Sequence, residues 1–158
     1  MSMKRSDTAA RWLGPEEEHA WRAYRRMVTV VQARTAQDLA ELGLSEPDYE
    51  VLSTLSERSD GSGTLREQAA KMEWSRSRLS RHATRMEARG LIRRAPDPDD
   101  GRGCLLVLTE IGLDTLRQAA PTHVASVRRH FVGRLHPQEL ALLGRIAAKL
   151  AGEPEDSL

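Results

Sequence analysis

Five arginines crowd the stretch SRSRLSRHATRMEARG: Arg76, Arg78, Arg81, Arg85 and Arg89. Leu79, Ala83 and Met86 recur there at three- and four-residue spacing, the single apolar stripe of a helix, and the arginines fall mostly outside it. A short helix held by such a stripe and studded with guanidinium groups suits the major groove of DNA. Arginine attracts phosphates there and reads guanine edges. The competing reading is a solvated basic face, and what decides between them is whether other DNA-reading parts accompany the helix. One candidate is Arg102, at the tip of an expected hairpin, where Asp100 two residues earlier is close enough to hold its guanidinium; an ordered arginine on a protruding hairpin suits a minor groove. Arg93 and Arg94 lie in the first hairpin strand. Alternation points them to opposite sides, so one of the two braces the hairpin against phosphates and the other is a surface residue.

The elements that must position these groups are legible around them. Ser75 is placed to cap the arginine-rich helix, leaving Arg76, Ser77 and Arg78 in its first turn, and Gly90 ends it as a left-handed cap. Thr64 and Glu67 have the spacing of a capping box, so the preceding helix starts at Thr64, carries Leu65, Ala69 and Met72 inward, and turns near Glu73 and Trp74. LIRRA and CLLVL read as strands separated by a long tip, PDPDDGRG. Upstream, a long first helix is expected from Pro15 to about Leu42, with Glu16, Glu17 and Glu18 at the positive end of its dipole. A second follows Gly43 with Ser45 as cap. After Thr109 a fifth helix runs through Leu113, Leu116, Val124, Val127 and Phe131, kinked or interrupted at Pro121, and a last helix starts at Pro137. Trp21, Tyr24, Val28 and Val31 at one end, and Leu140, Leu143, Ile146 and Leu150 at the other, are apolar stripes without a local partner.

Composition agrees with one compact unit. The chain has 158 residues, enough for one core and too few for two full domains. It shows no apolar run near the roughly 18 residues of a membrane span and no signal-like N-terminus, so a cytoplasmic location is expected. The single cysteine fits a reducing compartment. Net charge is only +1, so the basic signal lies in distribution: Arg66, Lys71 and the Arg76–Arg94 set cluster, while Glu16–Glu18 and the acidic end from Glu153 to Asp156 lie elsewhere. The first dozen residues and that acidic end are expected to be disordered.

With helix-turn-helix, hairpin and the following LTEIG together, the chain from about residue 15 to 150 resembles the MarR family of bacterial transcription regulators. The similarity is most specific over WSRSRLSRHATRMEARGLIRRAPDPDDGRG. The resemblance implies a mainly α fold with a small β-hairpin wing, in one domain: residues 46–109 form the winged helix-turn-helix, and 15–42 with 110–150 form the dimerisation helices. It also implies a homodimer, most simply a repressor, on a pseudo-palindromic operator. Ser75, Arg76, Ser77, Arg78, Ser80, Arg81, His82 and Arg85 would then lie in the major groove, Arg94 would support the wing at the backbone, and Arg102, oriented by Asp100, would enter the flanking minor groove. The sequence departs from the family pattern at Arg66 and Gln68, at Glu73, which replaces a common turn glycine, and at His82, usually an aliphatic position.

Other chemistries fit less well. Cys104 opens a strand, where a small buried hydrophobe is expected, rather than the first helix, where thiol sensors of the family sit. His123 and His130 share a helix face but lack further ligands, so no metal and no cofactor is expected. His19, Trp21 and Tyr24 stand where pockets of the family form and are candidates for binding a small aromatic effector; the alternative is that both aromatics are interface core. No phosphate loop, metal motif or nucleophile elbow marks an enzyme. A non-specific architectural DNA-coating protein is the other reading of the basic surface.

Overall fold

The computed structural model describes residues 11–153, so the disorder expected at both ends falls almost wholly outside it. Helix α1 (Pro15–Ala40) starts where proline costs no hydrogen bond, with Glu17 Oε2 accepting from the Gly14 N–H at 2.8 Å. Gly43, at φ 73°, turns the chain into α2 (Glu46–Ser56). There Ser45 and Asp48 close a capping box, each side chain accepting from the other's backbone N–H at 3.2 and 2.9 Å. Strand β1 (Ser62–Thr64) leads directly into α3 (Leu65–Lys71), capped reciprocally by Thr64 and Glu67. The turn before α4 (Arg76–Ala88) puts Glu73 at φ 52°, a left-handed position that glycine would hold with less strain. Ser75 Oγ accepts from the Arg78 N–H at 3.2 Å and starts α4, and Gly90 at φ 73° ends it.

Strands β2 (Ile92–Asp97) and β3 (Asp100–Leu108) form the hairpin, and β3 pairs on its other edge with β1, giving an antiparallel sheet ordered β1-β3-β2. The third strand was not foreseen. Its sequence, SGT, carries no periodic signal; it forms because Ser62, Gly63 and Thr64 fall opposite Val107, Leu106 and Leu105. The long tip expected of the hairpin is also corrected: pairing extends to Asp97 opposite Asp100, past an irregularity after Pro96, which leaves Pro98 and Asp99 as the turn. Of the kink or interruption expected at Pro121, the interruption does not occur, since helix α5 (Glu110–His130) runs through it. The turns on either side are held by buried Leu116, Ala119 and Ser126, and α5 packs along α1, so tertiary contact outweighs the one missing backbone donor. A 3-10 turn (Val132–Arg134) precedes α6 (Pro137–Ala151).

The core lies where α1, α2 and α4 meet the sheet. Leu39, Leu52, Leu55, Leu79, Met86, Ile92 and Leu106 are all but sealed from solvent. Each contributes about 2 kcal/mol of apolar burial. The start of α5 is locked to this core by Thr109, whose hydroxyl donates toward the Gly90 and Leu91 carbonyls and accepts from the Gly112 N–H. Gly112 comes so close that a β-carbon there would sit 2.0 Å from the Leu91 carbonyl oxygen. In contrast, Trp12, Trp21, Tyr24 and Met27 near the start of the chain, and Leu142, Ile146 and Leu150 on α6, stand open to solvent. Among the described residues, no helix is long and apolar enough to cross a membrane.

Candidate nucleic-acid interface

Helix α4 presents four stripes, and the heptad-like spacing of its residues assigns each a different neighbour. Leu79, Ala83 and Met86 face the core as expected. Ser77, Arg81 and Thr84 face outward and are exposed. Among the described residues, none pairs with the guanidinium of Arg76, Arg81 or Arg102, so these three keep all their donors for an external acceptor.

The flank toward the wing is Ser80, Thr84 and Glu87, and Arg94 spans it. Its guanidinium donates to the Ser80 carbonyl at 2.6 Å, to the Ser80 and Thr84 hydroxyls at 3.2 Å, and to Glu87 Oε1 at 3.3 Å. Its backbone N–H donates to Glu87 Oε2 at 2.8 Å. Those bonds use the terminal nitrogens of Arg94, expected to reach phosphates, to tie β2 to α4, with Ser80 one of the acceptors. Arg93, pointing the other way, is the exposed member of the pair.

The opposite flank is Arg78, His82, Arg85 and Arg89, at i, i+4, i+7 and i+11. Arg78 lies over the ring of Trp74, 3.7 Å from guanidinium carbon to centroid, and Trp74 meets the His82 ring edge-on at 5.7 Å. Arg89 donates to Asp48 Oδ2 at 2.7 Å and to the Gly43 carbonyl at 2.6 Å, which ties the end of α4 to the start of α2. His82, expected in the major groove, turns inward. It is only 7% exposed, with Nε2 at 3.0 Å from Asp48 Oδ1 and Nδ1 at 3.1 Å from an Arg85 nitrogen, so it faces inward along the edge of the core stripe. Burial raises the Asp48 carboxyl, but the Arg89 hydrogen bond, the Ser45 N–H and the positive charge nearby outweigh it and hold the group below the usual carboxylate range. Burial lowers the His82 pKa, and the pull of Asp48 does not restore it because Arg85 and Arg89 push the same way as burial.

At the wing tip, Asp100 holds Arg102 in a different manner from the one expected. Asp100 Oδ1 accepts from the Arg102 backbone N–H at 3.0 Å, while Asp97 Oδ1 accepts from the Asp99 N–H at 2.9 Å. The acids therefore shape the turn and leave the Arg102 guanidinium unheld. Gly103 completes it, since a β-carbon there would lie 2.9 Å from Asp97 Oδ2. Arg66, Arg76 and Arg102 look into one open cleft between α3, the start of α4 and the wing, with Asp97, Asp99 and Asp100 on its wing side. Thus Ser75, Arg76, Ser77, Arg78, Arg81, Arg85 and Arg102 are each exposed, with Arg76 and Arg102 around one cleft, whereas His82 is buried and Arg94 half-buried.

Three participants escaped the sequence reading. Asp48 carries no signal beyond its capping role, because its partners lie 34 and 41 residues away. Glu87 and Ser80 as acceptors for Arg94 depend equally on the wing folding back. Trp74 was legible, since an arginine four residues after a tryptophan invites stacking.

The other candidates lie away from this surface. Trp21 and Tyr24 stack on each other at 5.7 Å on an open face of α1, and His19 is exposed beside them; they line no hollow at α2 and α5. A shallow hollow does occur between α2 and α5, where the His123 ring lies against Tyr49 at 4.2 Å, tilted by 31°, beside Glu46 and Glu50. Burial, then Glu46, raises the Glu50 carboxyl there. His130 turns instead to Asp38 on α1, 3.4 Å away, so the two histidines serve different partners. Cys104 is half-buried against the core.

Comparison with known proteins adds a lineage to this geometry. Residues 44–104 match the MarR family. The chain is 32% identical over 133 residues to the transcriptional regulator HosA of Escherichia coli, covering 82% of this chain and 94% of that one. Among solved structures, AbsC of Streptomyces coelicolor, a MarR family transcriptional regulator, is 41% identical with TM-score 0.83, over 91% of this chain and all of the other. Sco3205, a MarR family regulator from the same organism solved in complex with DNA, is 34% identical with TM-score 0.86, over 91% of each chain.

Proposed function

The chain belongs to the MarR family of winged-helix, DNA-binding transcription regulators, and on that premise we propose that it is a cytoplasmic, nucleoid-associated homodimeric repressor of a pseudo-palindromic operator. The observation that carries this reading is the outward stripe of α4. Arg81 stands in its middle with its donors uncommitted among the described residues, flanked by Ser77 and Arg85, and Arg102 projects from the wing on the same side. A helix of 13 residues seated in a major groove brings those side chains to base edges, and the wing then meets the adjoining minor groove.

Dimerisation is supported by the two uncovered apolar faces, Trp21, Tyr24 and Met27 on α1 and Leu142, Ile146 and Leu150 on α6. Burying both against a second copy removes the patches and sets two α4 helices about one turn of DNA apart, roughly 34 Å. Trp21 and Tyr24 belong to this contact rather than to a ligand site. A small aromatic effector is placed instead at the Tyr49–His123 hollow, which sits between α2 of the reading unit and α5 of the dimer unit. It would release DNA by binding better to the dimer whose helix spacing misfits the operator.

The test is selection from a random-sequence duplex library. The expected product is an inverted repeat with half-site centres about ten base pairs apart. Enrichment of no motif, with binding that depends only on salt, would favour the architectural alternative.

A further inference from the structure

The reading stripe of α4 is backed by a polar ring where an aliphatic side chain would have served the core. His82 adjoins Leu79, Ala83 and Met86 in a stripe otherwise apolar, and both of its nitrogens look at charged groups. Their geometry fixes the tautomer. Arginine has donors and no acceptor, so the Arg85 nitrogen 3.1 Å from Nδ1 must donate to it, and Nδ1 carries the lone pair. The ring proton is then on Nε2, 3.0 Å from Asp48 Oδ1 but outside hydrogen-bond geometry.

We propose that neutral His82 is a positioning residue for the DNA-facing arginines, holding Arg85 through Nδ1 and supporting, through the edge of its ring, the Trp74 platform on which Arg78 lies. This rests on the reading above that the outer surface of α4 contacts DNA. Arg78, His82, Arg85 and Arg89 fall on one flank of the helix, and each has a fixed neighbour there: Trp74 under Arg78, Asp48 beyond His82, His82 beside Arg85, and Asp48 with the Gly43 carbonyl for Arg89. An arginine held in one orientation loses less side-chain freedom when it meets a base or phosphate. The arrangement also makes the contact sensitive to protons. The charged groups facing the ring are Asp48 from α2 and Arg85 and Arg89 from α4, and Trp74 closes the remaining side. A second proton on the ring would go to Nδ1, where an N–H would point at the Arg85 guanidinium, donor against donor and charge against like charge. Arg85 would be expelled from its seat.

The test uses the tightest duplex that the wild-type dimer selects from a random library, with anisotropy titrations at fixed salt from pH 8 to pH 5. Five proteins are compared: wild type, Arg85→Ala, His82→Leu, the Arg85→Ala/His82→Leu double variant and His82→Asn, each checked for folding by thermal unfolding. Asparagine offers an acceptor near the position of Nδ1 and does not take up a proton. At pH 8, Arg85→Ala and His82→Leu should each lose affinity about tenfold, the value of a hydrogen bond to a charged group, and the double variant should lose little more than either. His82→Asn, which keeps an acceptor for Arg85 but not the ring edge beside Trp74, should recover most of the affinity that His82→Leu loses at pH 8, and the ratio of wild-type to His82→Asn affinity should fall several-fold on going to pH 5, a readout that a merely structural role would leave flat. Full binding by Arg85→Ala would overturn the underlying reading of α4. Loss with Arg85→Ala, together with full binding by His82→Leu or a flat ratio between wild type and His82→Asn, would overturn the role of His82 alone. Should His82→Leu fail to fold, the ratio decides by itself.

Discussion

Replacing Asp48 by alanine should unfasten α4 from α2, and the cost follows from the three groups that this carboxylate serves. Its side chain is 4% exposed and accepts from the Ser45 N–H at the start of α2; losing this half of the capping box costs about 1 kcal/mol. Arg89 donates to it at 2.7 Å but is 41% exposed, so water recovers most of that guanidinium and the pair is worth about 1 kcal/mol. His82 Nε2 is buried 3.0 Å from Asp48 Oδ1 without a hydrogen bond of good geometry, and losing that charge–dipole attraction costs up to about 1 kcal/mol more. The variant should therefore lose about 3 kcal/mol at neutral pH, or about 6–12 °C in Tm for a chain of this size. Urea unfolding followed by circular dichroism measures it, at one protein concentration because dimer formation contributes. The same experiment has an acid arm. The folded-state pKa of Asp48 lies below its unfolded value of about 4, so its contribution is complete above that value and fades as pH falls through the folded one. The gap between wild type and variant should narrow in acid. A loss under 1 kcal/mol at pH 7, or a gap independent of pH, would refute the reasoning that this carboxylate joins the two helices.

Other substitutions probe other parts of the account. Gly112→Ala drives a β-carbon into the Leu91 carbonyl and should destabilise the protein by about 3 kcal/mol or more in the same urea assay. Arg94→Met removes the four side-chain bonds from β2 to Ser80, Thr84 and Glu87 on α4 and keeps the backbone bond to Glu87; it should cost about 1–2 kcal/mol and weaken DNA binding while leaving its salt dependence nearly unchanged if Arg94 meets no phosphate. Tyr24→Glu places a charge on the open face of α1 and should shift sedimentation from dimer toward monomer, with DNA affinity falling alongside.

Much of this molecule was legible in its sequence wherever the cause is local. Ser45, Thr64, Ser75 and Thr109 each cap the helix that their spacing announced, and Leu79, Ala83 and Met86 are buried as their period requires. What could not be read was long-range partner choice. Arg94 and Arg102 look alike in a strand pattern, yet one is engaged by acceptors 7 to 14 residues back and the other keeps its guanidinium unpaired among the described residues. His82 sits among arginines and is polar, which suggested a groove contact; only the approach of α2, bringing Asp48, makes its inward position tolerable. Pro121 illustrates the converse, a local rule overridden by packing on both sides.

The central claim is that the outward stripe of α4 reads sequence, and Arg81→Ala tests it most directly. Fluorescence anisotropy of wild type and variant would be compared on the selected duplex and on a scrambled one across a salt series. Loss of roughly tenfold or more on the selected duplex, with a much smaller loss on the scrambled one and unchanged thermal stability, is the result expected of a side chain that meets a base edge. Equal losses on both duplexes would reduce Arg81 to a phosphate contact, and no loss on either would contradict the account.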